Sequence, residues 1–284
     1  MPYGSRDDDG GAPSVVEELL SGLENLHSSR AVCLQAVQVL DAPGSSAADV
    51  ARVISADPAL TSRVLRVANS VYYGMSGRVA NPSFAVIVVG FQTVRSLAVV
   101  GAAGLGDPQD LPDGFWPQSL ATAAACSLVA GRAGVVPGEA FATGLLHDLG
   151  SALLRQHDKV LYDQVIALAE LKGALPLALL QRRTYGGSAA TLGAQVLRAW
   201  ALPHELTSAI ERQGDLLEKT AAPMARTLQA GKVLASMTGP NSEAASWAGA
   251  RALEAVNLGP HQAKALADQV RAAAAQLEES LLAA

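Results

Sequence analysis

The chain has 284 residues, half of them apolar, with 21 basic against 26 acidic side chains and a net charge of −5. That supplies core for one large domain or two ordinary ones, and the acidic balance disfavours a surface made for nucleic-acid phosphates. Two cysteines without metal-ligand spacing, Cys33 and Cys126, exclude a disulfide framework and read as buried reduced thiols of a cytoplasmic protein.

In chain order the signals are helical almost throughout. Residues 1–13 are polar, acidic and glycine-rich, which predicts a disordered tail rather than a signal peptide. Ser14 with Glu17 three residues later makes a capping box for a first helix of some fifteen residues. A second helix runs from Ala31 to Leu40 and stops at Asp41-Ala42-Pro43-Gly44, and Ser46 opens a short third. Asp57 caps a helix with Pro58 at its first position, and Asn69, Ser70 and Tyr73 form a polar, aromatic exit from it. Asn81-Pro82 starts another helix, ended by Gly90, and the next runs from Gln92 to Val100. The glycine-rich stretch around residues 101–114 has neither a strand before it nor Lys-Ser or Lys-Thr after it, so it reads as turns rather than a phosphate loop. Phe115 and Trp116 begin a long alanine-rich helix. No apolar run is long and unbroken enough to cross a bilayer, so no membrane association is expected.

The most informative stretch is Gly138–Leu154, which holds His147-Asp148 among small and apolar residues. Phe141, Leu145, Leu149 and Leu153 recur every four residues, which predicts one buried helix carrying the doublet. An imidazole beside a carboxylate is costly to bury, so the two either ligate a metal with help from elsewhere or hydrogen-bond within a core. Helices follow over Lys159–Leu171, Pro176–Arg183, Ser188–Trp200 and Pro203–Arg212. The last third, from Thr220, is a helical tail that packs on the body or on a partner. Gly-x-Ser-x-Gly, Cys-x-x-Cys and Walker patterns are absent from the sequence.

Five segments taken together resemble the HDOD family, the HD-related output domains of bacterial signalling proteins. They are ISADPALTSRVLRVANSVYYG at 54–74, FAVIVVGFQTVRSL at 84–97, FWPQSLATA at 115–123, EAFATGLLHDLG at 139–150 and GAQVLRAWALPHELTSAI at 193–210. The resemblance implies an all-α fold in two lobes: an HDOD domain over 14–213, with an N-terminal lobe about 14–112 and an HD-like lobe about 113–213. Residues 214–284 are then a C-terminal helical extension. HD enzymes hold metal with an early His, the doublet, a later Asp and often further histidines. Here the matching positions carry Gln118, Ser188-Ala189, Glu211-Arg212-Gln213-Gly214 and Gly231, which leaves His147 and Asp148 as an HD remnant. Two adjacent donors do not hold a hydrolytic ion. The expectation is therefore no metal, no cofactor and no catalytic residue, in a module that works through a signalling protein partner. A divergent metal-dependent HD phosphohydrolase acting on a nucleotide or phosphodiester is the rival. Asp57, Asn69, Ser70, Tyr73, Trp116 and Trp200 are the candidate interaction or interlobe residues. Capping by itself accounts for Asp57, and core packing for the tryptophans. Arg63, Arg66 and Arg95 are weighed as a local basic patch, with a solvated helix face the default for the first two.

Overall fold

The computed structural model describes residues 15, 17–19, 28–75, 77–105, 111–171, 175–215, 221–239 and 247–282. Among these there is no strand, and the fold is all-α. The expected tail over residues 1–13 lies outside the described residues, as does most of the first helix, of which residues 15 and 17–19 are helical.

The N-terminal part comprises α1 (Ser28–Asp41), α2 (Ala47–Ile54), α3 (Pro58–Ala68), a 3-10 turn at Val71–Tyr73, α4 (Pro82–Val89) and α5 (Phe91–Ala102). Local chemistry sets its boundaries. Ser46 and Asp49 form a reciprocal capping box on α2, and Asn81 caps α4 ahead of Pro82. α5 packs on α1 and hands the core on to the next lobe by packing on α7. Arg95 on α5 is buried and ion-paired with Asp41, so it belongs to the interior and not to a basic surface.

The second part is arranged round α6 (Phe115–Ala133), against which α7 (Pro137–Leu146) lies. Then come α8 (Leu149–His157), α9 (Lys159–Glu170), α10 (Leu177–Tyr185), α11 (Ala189–Ala199) and α12 (His204–Glu211). The C-terminal residues are integral to this lobe. α13 (Pro223–Ser236) and α15 (Pro260–Leu282) both pack on α6, and α14 (Trp247–Glu254) packs on α13. Ala121, Ala125 and Val129 of α6 share a core with Leu234 of α13 and Val270 of α15. Small residues on α6 let these helices come close. A Cβ added at Gly144 of α7 would stand 2.7 Å from Ala123 Cα, and one at Gly231 of α13 would stand 2.4 Å from Cys126 Sγ.

The sequence pattern predicts one continuous helix through the doublet, and here the structure differs. α7 ends at Leu146, His147 and Asp148 form a turn, and α8 begins at Leu149. The Ser151 N–H reaches the Asp148 carbonyl at 3.1 Å instead of His147 one position further back. The His147 carbonyl is thereby freed, and Gln213 Nε2 donates to it at 2.7 Å. The apolar spacing runs straight across the break because both helices bury the same side.

No single helix among the described residues is long and apolar enough to cross a membrane. α4 and α5 reach that apolar length only together, and they are bent by 108° at Gly90.

Candidate functional site

The site is built where the α7–α8 turn faces α13. His147 is buried, and its Nδ1 lies 2.7 Å from the Gly144 carbonyl. A carbonyl only accepts, so Nδ1 carries the proton and Nε2 keeps its lone pair, the tautomer a metal ligand needs. Burial holds the imidazole below its ordinary pKa, with the nearby Lys232 charge adding to the effect and Asp148 opposing it. Half-buried Asp148 accepts from the Ser151 hydroxyl at 2.5 Å.

The group that meets this pair is Lys232. Its ammonium donates to Gln213 Oε1 at 2.7 Å, and the same carboxamide donates to the His147 carbonyl. Burial pushes the amine below its usual pKa, and the charge of Asp148 is the largest influence pulling it back up. Cys126, buried beneath, has its thiol raised to about 12 by burial and stays protonated. The charge of Lys232 thus acts on both members of the doublet, while its ammonium is hydrogen-bonded to Gln213. The resemblance places Gly231 at the closing acidic position, but the structure turns Gly231 onto Cys126, and the next residue, Lys232, reaches Gln213 beside the doublet.

Of the other positions compared with HD ligands, Gln213 reaches the turn through its carboxamide, and the rest do not converge on it. Gln118 is exposed at the start of α6. Ser188 caps α11 by accepting from the Thr191 N–H at 3.2 Å. Glu211 is ion-paired with Arg198. Among the described residues no group of three or more His, Cys, Asp or Glu side chains is placed to hold a metal ion. The donor set does not fit a hydrolytic metal.

The six candidate interaction residues are spread over both lobes. Asp57 is buried and caps α3, accepting from the Ala59 N–H at 2.8 Å and the Leu60 N–H at 3.2 Å. Asn69 pins the chain at Val79, accepting from its N–H at 2.8 Å and donating to its carbonyl at 2.6 Å. Asn69 also borders an open groove of about 640 Å³ between α3 and Ser280 near the end of α15. Ser70 is buried and bonds back to the Val67 carbonyl at 2.7 Å. The Tyr73 hydroxyl lies 3.3 Å from Thr93 Oγ1 on α5. Trp116 is buried edge-on to Phe115 at 5.4 Å, and Trp200 is half-buried against the main core.

The aromatic contact between lobes is made by the neighbour of Tyr73. The Tyr72 ring stands 5.9 Å from Phe141 on α7, and its hydroxyl lies near Ser127 on α6. The sequence signal for it is the Tyr-Tyr pair itself, which does not say which ring turns inward. Lys232 had a weaker signal still, a lone charge in the otherwise small and apolar run around residues 228–236.

The sequence model of the HDOD domain matches residues 26–216. The chain belongs to the HDOD family.

An uncharacterised protein of Treponema pallidum (strain Nichols) is similar over 183 residues at 26% identity, covering 62% of this chain and 35% of its own. This HDOD chain therefore spans about a third of that relative's length. Among solved structures, a provisionally named phosphohydrolase from Shewanella amazonensis SB2B superposes with a TM-score of 0.70 at 24% identity, over 93% of this chain and 97% of its own. That likeness shows the fold. A provisionally named signal transduction protein from Marinobacter aquaeolei VT8 gives a TM-score of 0.69 at 26% identity, over 93% of this chain and 60% of its own.

Proposed function

We propose that this HDOD chain is a non-enzymatic signalling or scaffolding module that works by binding a protein partner. Lys232 carries the reading. Its ammonium, bonded to Gln213 beside the turn, acts by its charge on both His147 and Asp148, and a positive charge already nearby disfavours a divalent ion there. A hydrolytic site also needs an ion with an open coordination position to polarise phosphate and activate water. His147 and Asp148 supply two donors on one turn, and the side chains around them add an amide, a thiol and a cation. In this reading the turn serves as a structural lock joining α7, α8, α12 and α13. Membership in a family of signalling-related proteins supports the partner-binding role, as does the similarity to a protein named for signal transduction.

The test is phosphodiester hydrolysis by the full chain with manganese or magnesium present. The proposal expects no turnover above the metal alone. Turnover that disappears in both His147→Ala and Asp148→Ala would instead establish the metal-dependent phosphohydrolase.

A further inference from the structure

The inner side of the α9–α10 pair is accounted for within the fold. Tyr162 and Val165 of α9 and Leu180 of α10 lie in a small core with Leu154 of α8 and Leu192 of α11. α9 packs on α8, and α10 packs on α9. The short connection over residues 171–176 makes the two helices neighbours that run in opposite directions.

The outer side is apolar as well. Val160 and Leu168 of α9, Leu171 and Leu175 of the connection and Leu179 of α10 are all exposed, Val160 to 68% and Leu171 to 61%. A helix that is apolar on opposite sides is ordinarily covered on both. Seen from outside, the pair is about 18 Å long and two helix diameters, about 20 Å, across. That is the size of the largest apolar patches on monomers, which are often functional, and it suits the lower end of specific interfaces.

Charge indicates what covers this face. Glu170 is exposed at the end of α9 beside the connection, and Arg182 and Arg183 are exposed in the last turn of α10, toward the other end of the pair. None of the three is ion-paired among the described residues. A two-fold axis perpendicular to the helices brings Glu170 of one copy toward Arg182 and Arg183 of the other, and does so at both ends, with leucine against leucine between them. The face is thus complementary to itself.

We propose that two copies of the chain associate through the outer faces of α9 and α10, four helices meeting about a two-fold axis. The association does not depend on how the histidine-aspartate turn is read.

Sedimentation velocity of the 284-residue chain between about 1 and 200 μM tests it, the range in which a contact of this modest size assembles. The weight-average sedimentation coefficient should rise with concentration from the monomer's value toward the dimer's. Leu171→Glu sits at an exposed position and should leave Tm unchanged, but it puts an unpaired charge into the contact and should weaken dimerisation by about tenfold or more. Arg182→Glu with Arg183→Glu sets like charges against Glu170 and should weaken it by about three- to tenfold, and adding Glu170→Arg to that variant should restore it. A chain that stays monomeric throughout the range overturns the proposal. So does a dimer indifferent to Leu171→Glu, whose contact would lie elsewhere, and failure of Glu170→Arg to restore the reversed chain overturns the two-fold arrangement.

Discussion

At the scale of single residues the account turns on Lys232 and His147. Lys232→Met keeps the bulk of the side chain but takes the ammonium away from Gln213 Oε1 and a positive charge away from the neighbourhood of Asp148. It should cost about 1 to 3 kcal/mol, the range for losing a hydrogen bond to a charged group at a partly buried acceptor. Urea unfolding of the two proteins measures it, and an unchanged midpoint would remove Lys232 from the lock. His147 gives a pH signature. Its folded pKa lies below the unfolded value, so the fold favours the neutral ring and loses stability as pH falls below about 6.5, by up to about 1.4 kcal/mol per pH unit. Midpoints taken between pH 7 and 5 should fall less steeply in His147→Gln than in the parent chain. How much of the site the sequence disclosed divides along the same line. The caps at Ser46, Asp57 and Asn81 were legible because a cap and its amides lie within three residues of each other. Lys232 was not, because what makes it informative is the approach of α13 to a turn far away in the chain.

At the scale of elements, the α7–α8 break explains how an imidazole and a carboxylate are housed in a core. Periodicity could not reveal it. Phe141, Leu145, Leu149 and Leu153 keep their four-residue spacing across the turn, and what replaces the helical bonds is tertiary, with Gln213 on the His147 carbonyl. Glycines let the flanking helices close round the turn. A Cβ at Gly150 would stand 1.8 Å from the Ala189 carbonyl oxygen at the start of α11. Gly150→Ala should therefore force α8 and α11 apart at a cost of about 3 kcal/mol or more, seen as a fall in Tm. A neutral outcome would mean that α8 does not cross α11 so closely. Gly131, whose added Cβ would meet no atom within 4 Å, is the matching control and should tolerate alanine as that surface helix position normally does.

At the scale of the whole molecule, the match to the HDOD domain ends at residue 216, yet the fold does not. α13 and α15 cover the side of α6 that carries Ala121, Ala125 and Val129, and α13 also delivers Lys232. A chain stopped after residue 216 should expose that apolar side and be recovered aggregated or without a cooperative thermal transition. A soluble, cooperatively folding truncation would show that the C-terminal helices are an accessory. The all-α architecture was readable from caps and apolar periodicity. The integral packing of the last third was less so, because its alanine-rich helices have few large side chains to announce a buried face. The central claim is that His147 and Asp148, with the Lys232 charge nearby, do not hold a metal ion. The most direct measurement is a calorimetric titration of manganese into the metal-free 284-residue chain. The account predicts no stoichiometric binding. One ion bound per chain, lost in His147→Ala, would contradict it.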